Sequence, residues 1–320
     1  MKLACSSWSY HAAFKARRLD QRDWLRLCAE MDVDGVEFLD VHFPTTDLAY
    51  LRDLKRVCVD LQLTVAAVAV TSDFGDEDRR VAEIDRVRRW CEVAAFLGAP
   101  VVRVFAGGFP EQTSDPNAGR IVSVFRKVFG EPRADPRALW SDAMFALRTC
   151  ADHAASLGVV LAVQNRSSGR SLVRDGAQLT RCVRDVGSPW LRACLDPAGL
   201  ADAGSGIEPA LADAVLVHAR LRDVRDDGSD ARAHWPAILR QLHGGRYRGF
   251  VSMDYEGPLE HPESAVPRAA LHLRGLMRLL ERQQLLTAPA ADVSANGVLS
   301  DDVLPAESSL VEPEQPPVSS

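Results

Sequence analysis

Residues 96–108 read Phe96-Leu97-Gly98-Ala99-Pro100-Val101-Val102-Arg103-Val104-Phe105-Ala106-Gly107-Gly108, and the fold can be worked out from this stretch. Upstream, Val81, Ile84, Val87, Trp90, Cys91, Ala94 and Ala95 recur at helical spacing, so a helix with one apolar face arrives at Leu97. Gly98 ends it, because glycine takes the left-handed backbone of a helix cap at no steric cost. Val101–Phe105 is then a short β-branched run closed by a glycine turn, which reads as a strand. The same helix, glycine, strand join recurs at Ser156-Leu157-Gly158-Val159-Val160.

Working outward, similar apolar runs stand at Lys2–Ser6, Gly35–Leu39, Thr64–Val70, Val159–Gln164, Ala193–Asp196, Val215–Leu221 and Phe250–Tyr255. Helical stripes lie between them: Trp24, Leu25, Leu27, Cys28 and Met31, then Leu139–Leu157, Ala177–Val186, Trp235–Leu242 and Ala265–Leu285. Strand followed by helix, repeated eight times within residues 1–286, predicts a (β/α)8 TIM barrel. A doubly wound nucleotide fold would place a glycine-rich phosphate loop after its first strand. Gly107-Gly108 and Gly244-Gly245 fit no such pattern.

About thirty residues separate Phe105 from Leu139, where a strand-to-helix connection usually takes 2–6. The insertion at 107–137, with an apolar Arg120–Phe129 stretch fit for a short helix, would sit at the barrel mouth as a lid or as a surface excursion. Residues 287–320 are different again. They hold six acids, no Lys or Arg, no aromatic residue and five prolines, a composition expected to stay disordered.

That tail accounts for the charge. The 320-residue chain has 44 acids and 38 Lys plus Arg; removing the six tail acids leaves 38 against 38. A neutral body lacks the basic excess of a nucleic-acid binder. No run of apolar residues is long enough to span a membrane. Seven cysteines (5, 28, 58, 91, 150, 182 and 194) are odd in number and widely spaced, which suits neither a disulfide framework nor a zinc knuckle. The expected location is the cytoplasm.

In a TIM barrel, chemistry stands at the C-terminal ends of strands, pointing inward, and period-two alternation picks those side chains out. Val36 and Phe38 suit the helix-facing side, which leaves Glu37 inside. By the same rule Arg103, Ala162 and Gln164 face in; so do His218, Arg220 and Arg222, and Ser252, Asp254 and Glu256. Asp196 ends the sixth strand, and Asn165 and Arg166 follow the fifth. Singly, each has an ordinary structural explanation: Arg222 a solvated pair with Asp223, His218 a satisfied core histidine. Together they make a mouth more polar than packing requires, which points to a ligand site. Trp8, Trp140, Trp190 and Trp235 are read as packing residues.

These strand ends resemble the xylose isomerase-like TIM barrels, which include sugar phosphate isomerases and epimerases, dehydratases and endonuclease IV-type enzymes. The resemblance runs from Lys2 to about Leu285. It rests on Asp34-Gly-Val-Glu37, Ala99–Gly108, Gly158-Val-Val-Leu-Ala-Val-Gln-Asn165, Cys194-Leu-Asp-Pro-Ala-Gly-Leu200, His218-Ala-Arg-Leu-Arg-Asp223 and Tyr247–Gly257. It implies a divalent metal (Mn, Mg, Co or Zn) held by Glu, Asp, His and Glu on strands five to eight. At the matching positions this chain has Gln164, Asp196, Arg220 and Asp254. Arginine is permanently cationic and cannot ligate a metal; near a dication it adds repulsion of about 4 kcal/mol per unit charge at 4 Å, with an effective dielectric near 20.

The sequence therefore leads to the expectation of a barrel without a metal cofactor, Arg220 standing in the ion's place and bridging Asp196 and Asp254. Such a barrel would bind a small sugar-like or anionic ligand through Arg103, Asn165, Arg166, His218, Arg222 and Glu256. A second expectation is an active isomerase or epimerase, metal-independent or with a rearranged site, using Glu37 or Asp254 as base and Arg220 as electrophile. A third is an inert scaffold that binds another protein. Endonuclease chemistry is not expected, because the multi-histidine metal set is missing.

Overall fold

A computed structural model describes residues 1–108, 135–167, 169–202, 204–258 and 262–287. Eight parallel strands pair in chain order, and the eighth closes on the first. They are β1 (Lys2–Ser6), β2 (Gly35–Leu39), β3 (Thr64–Ala69), β4 (Val101–Val104), β5 (Val160–Gln164), β6 (Leu191–Leu195), β7 (Ala214–Leu221) and β8 (Phe250–Tyr255). The expected TIM barrel is the fold, with strand ends shifted by a residue or two from the sequence reading.

The helices that wrap it are α1 (His11–Lys15), α2 (Gln21–Glu30), α3 (Leu48–Asp60), α4 (Arg80–Leu97), α5 (Pro136–Ser156), α6 (Gly176–Val186), α7 (Pro197–Asp202), α8 (Trp235–Gly244) and α9 (Pro262–Thr287). Three of these, α1, α3 and α7, are absent from the sequence reading. Helix α3 buries only Leu51, Leu54 and Cys58 of its thirteen residues, a stripe thin enough to be overlooked. Local chemistry sets the ends: Asp20, Asp135 and Asp175 cap α2, α5 and α6 by accepting backbone N–H groups, and Gly98 stops α4 at φ +82°.

Alternation along the strands sorts the interior into two cores. Val36, Phe38, Val102, Val104, Leu161 and Val163 face outward into the layer beneath the helices, where Trp24, Leu54 and Leu147 are fully buried. Each such side chain contributes about 1.5–3 kcal/mol by leaving water. Inside the barrel the floor is apolar and small: Ala67, Val101, Ala162, Cys194 and Leu216, with Phe250 packed against them. Those short side chains leave room above the floor for Glu37, Arg103, Gln164, His218 and Ser252, all buried.

The lid expected over 107–137 and its helix at Arg120–Phe129 fall largely on residues 109–134, outside the described residues. The tail from Ala288 onward lies outside them too. Among the described residues, no helix is long and apolar enough to cross a membrane.

Candidate functional site

The centre of the barrel is an imidazole between two carboxylates. His218 of β7 places Nε2 2.8 Å from Glu37 Oε2 on β2 and Nδ1 3.2 Å from Asp254 Oδ2 on β8. Ser252 donates its hydroxyl to the same Glu37 oxygen at 2.6 Å, and Arg103 Nε reaches Glu37 Oε1 at 3.4 Å. Burial alone would push the Glu37 carboxyl up. The charge and hydrogen bond of His218, helped by Arg103 and Ser252, outweigh it and hold the acid at about 2. For His218 burial favours the neutral ring, but the flanking Glu37 and Asp254 raise it to about 10. The ring is thus an imidazolium donating from both nitrogens. Gln164 Nε2 lies 3.3 Å from Nδ1; against a protonated nitrogen the amide would present its oxygen instead.

A second ion pair sits nearer the mouth. The Arg220 guanidinium donates from Nη2 to Asp196 Oδ2, and its Nε lies 3.6 Å from Glu256 Oε2. Asp196 is fully buried, which raises its acid; Arg220 and the Gly199 N–H, donating to Oδ1 at 2.9 Å, oppose that rise. Glu256 is likewise raised by burial against the pull of Arg220. The expected bridge from Arg220 to Asp254 is not formed. The two residues are neighbours in the β7–β8 register, yet His218 takes Asp254 and Arg220 turns to Asp196 and Glu256.

Two further expectations change. Asn165 is fully buried and clamps the backbone of Asp196, donating from Nδ2 to its carbonyl at 3.1 Å and accepting its N–H at 2.8 Å. Its amide is thus engaged within the protein. Arg222 turns outward to Asp202 at the rim. Conversely Trp8, read as packing, lines the mouth, and so do Leu39, Thr71 and Phe105. Leu39 and Phe105 stand two residues after the inward Glu37 and Arg103, and Trp8 and Thr71 two residues after the ends of β1 and β3, so all four continue the inward alternation.

The resulting cleft, about 130 Å³, is lined by Trp8, Phe105, Arg103, Arg166, Gln164, His218, Arg220, Asp254 and Glu256, with Leu39 and Thr71. Arg103 and Arg166 both lie against the Phe105 ring, at 4.8 and 5.2 Å from its centroid. Among the described residues the Arg166 guanidinium has no carboxylate partner. Among the described residues Asp254 Oδ1 and the outer amide atom of Gln164 have no hydrogen-bond partner, and Arg220 Nε has only its 3.6 Å contact with Glu256. A buried group left so costs about 1–3 kcal/mol, so such groups point to something that completes them.

The donor set at Gln164, Asp196, Arg220 and Asp254 fits a divalent cation poorly. One unpartnered oxygen, on Asp254, is available, but the Gln164 oxygen is turned to His218 and Asp196 is held by the Arg220 guanidinium. Charge gives the same answer. Glu37, Asp196, Asp254 and Glu256 face Arg103, Arg166, His218 and Arg220, acids and cations in equal number, and a dication would leave an uncompensated excess of two.

A barrel with this topology and these strand ends belongs to the xylose isomerase-like TIM barrel family, whose profile matches residues 25–276. Among solved structures the chain is similar to an L-ribulose 3-epimerase, at 17% identity over 91% of this chain and 99% of that one, with a TM-score of 0.69. It is similar also to a 3-keto-D-glucoside 4-epimerase from E. coli, at 18% identity over 86% and 99%, TM-score 0.66. A D-psicose 3-epimerase from Clostridium cellulolyticum H10 gives 15% identity over 87% and 99%, TM-score 0.67. At these identities the shared property is the fold. No curated protein matches the chain.

Proposed function

We propose that the chain binds a small, neutral, sugar-like ligand in the mouth of the barrel without a divalent metal, Arg220 and His218 supplying the fixed positive charge. One observation carries this reading: Asp254 Oδ1 and the outer amide atom of Gln164 have no hydrogen-bond partner among the described residues, and both residues line one cleft with Arg220. With the Gln164 oxygen given to His218, an amide donor and a carboxylate acceptor remain, which together suit vicinal hydroxyl or hydroxy-carbonyl groups. The equal numbers of acids and cations favour an uncharged ligand over a phosphate, and Trp8 and Phe105 offer ring faces to its C–H surface. The sugar epimerases among the structural relatives are consistent with this ligand class. Calorimetric titration with D-fructose, D-tagatose, L-ribulose and their phosphates tests it. Binding is expected to be indifferent to EDTA and about tenfold weaker in Trp8→Ala, the loss of one half-buried aromatic wall. Binding that appears only with added Mn²⁺ would overturn it.

A second reading, proton transfer at a carbon beside a carbonyl, is favoured by the state of Asp254. Its Oδ2 is fixed by His218 while Oδ1 is free, which is how an oriented base is held. Glu37, with both oxygens occupied by three donors, serves to hold His218 instead. Arg220 would steady the developing enediolate, and Glu256, raised by burial, would return the proton. Deuterium from solvent should then enter the ketose carbon adjacent to the carbonyl, and Asp254→Asn should stop this. Bound sugar with no exchange would leave the chain a binding protein.

A further inference from the structure

The polar cleft has an apolar annex. A second cavity of about 230 Å³, lined by Trp8, Ser9, His11, Ala12, Tyr255, Glu256, Gly257 and Pro262, shares Trp8 and Glu256 with the cleft. Its polar atoms are largely occupied within the protein. Ser9 Oγ donates to the Met253 carbonyl and accepts the Tyr255 N–H, at 3.1 and 3.0 Å. The Tyr255 hydroxyl donates to the Pro258 carbonyl at 3.2 Å. His11 lies flat on Trp8, ring centroids 4.3 Å apart, with Nδ1 2.9 Å from His42 Nε2. A Cβ at Gly257 would fall 2.5 Å from the Tyr255 ring, so glycine lets the chain lie over that ring. What these groups leave toward the cavity is mainly ring faces, Ala12 and Pro262.

We infer that the ligand carries an aryl or similarly flat apolar substituent, so that the preferred class is a glycoside with an aromatic aglycone and not a free monosaccharide. The inference rests on the sugar-binding reading above and adds the substituent to it. Two features argue for one occupant across both cavities. They adjoin, since Trp8 and Glu256 line both, and Glu256 stands where a polar linkage would pass from the hydroxyl-binding side to the apolar side. The annex, at about 230 Å³, has room for a ring, and a second sugar there would bury hydroxyls against groups with little to offer them.

The test is a set of matched titrations with phenyl β-glycosides, methyl β-glycosides and free sugars of glucose, galactose, mannose and xylose. For the sugar that binds, the phenyl glycoside should bind about tenfold or more tightly than the methyl glycoside, from the ring surface removed from water. Ala12→Leu, which fills the annex from a partly exposed position, should bring that ratio to about one. Equal affinity of phenyl and methyl glycosides in the wild type would overturn the inference while leaving sugar binding intact. Failure of every sugar and glycoside to bind would instead overturn the sugar-binding reading on which it rests.

Discussion

Replacing Gln164 by Glu and Arg220 by His together should convert the mouth into a cation site. The substitutions add one negative charge and remove one positive charge, which takes the cleft from balance to an excess of two acids, the charge a divalent ion neutralises. In the wild type, Arg220 opposes a dication by about 8 kcal/mol at 4 Å with an effective dielectric near 20, and that opposition disappears. The apo variant has its own cost. Asp196 is fully buried and loses its guanidinium, and stripping one partner from a buried ion pair costs about 3–5 kcal/mol. For a chain of this size that lowers Tm by roughly 6–10 °C. Mn²⁺ at a hundred times its Kd would return about 2.7 kcal/mol. The assay is thermal unfolding of wild type and variant with and without Mn²⁺, alongside an electron paramagnetic resonance titration that counts bound ion. The expected pattern is a wild type blind to Mn²⁺ and a destabilised variant rescued by it. A variant that binds no more Mn²⁺ than the wild type, or a wild type that binds as tightly, would refute the reasoning.

Other outcomes follow from the same geometry. Asn165→Ala should lower stability by about 2–3 kcal/mol in urea, because both bonds to the Asp196 backbone are lost in a buried place; an unchanged midpoint would contradict the clamp. The pH profile has a defined sign. Glu37, lowered to about 2 from 4.5, contributes stability that is complete above 4.5 and is lost as pH falls through 2. His218, raised from 6.5 to about 10, contributes stability that is complete below 6.5 and is lost as pH rises through 10. The urea midpoint should therefore be highest between these windows and fall toward alkaline pH, and His218→Gln should remove the alkaline fall. An alkaline limb that persists in that variant would show the imidazolium is not its source.

The barrel was legible because its rules are local. A glycine-ended helix, a four- to eight-residue apolar strand and a turn repeat along the chain, and alternation placed Glu37, Arg103, Gln164, His218, Arg220 and Asp254 inside. What alternation does not encode is which inward side chain meets which. His218 finds Glu37 across the barrel, 181 residues away in sequence, and in doing so takes Asp254 away from its neighbour Arg220. Of the two partners expected for Arg220, Asp196 is found and Asp254 is not, although the direction of Arg220 was right. Trp8 and Phe105 were missed for a different reason. They lie just past strand ends and continue the inward alternation, but aromatic residues in such places look in sequence like any packing residue.

The account's central claim is that a guanidinium on Asp196 holds the place of the family's metal. Its most direct test is elemental mass spectrometry of untagged protein from cells grown with Mn, Zn and Co, followed by a crystal soaked in Mn²⁺. The account predicts substoichiometric metal and no anomalous density between Asp196 and Asp254, with Arg220 still seated on Asp196. One equivalent of metal touching those two carboxylates, with Arg220 displaced, would contradict it.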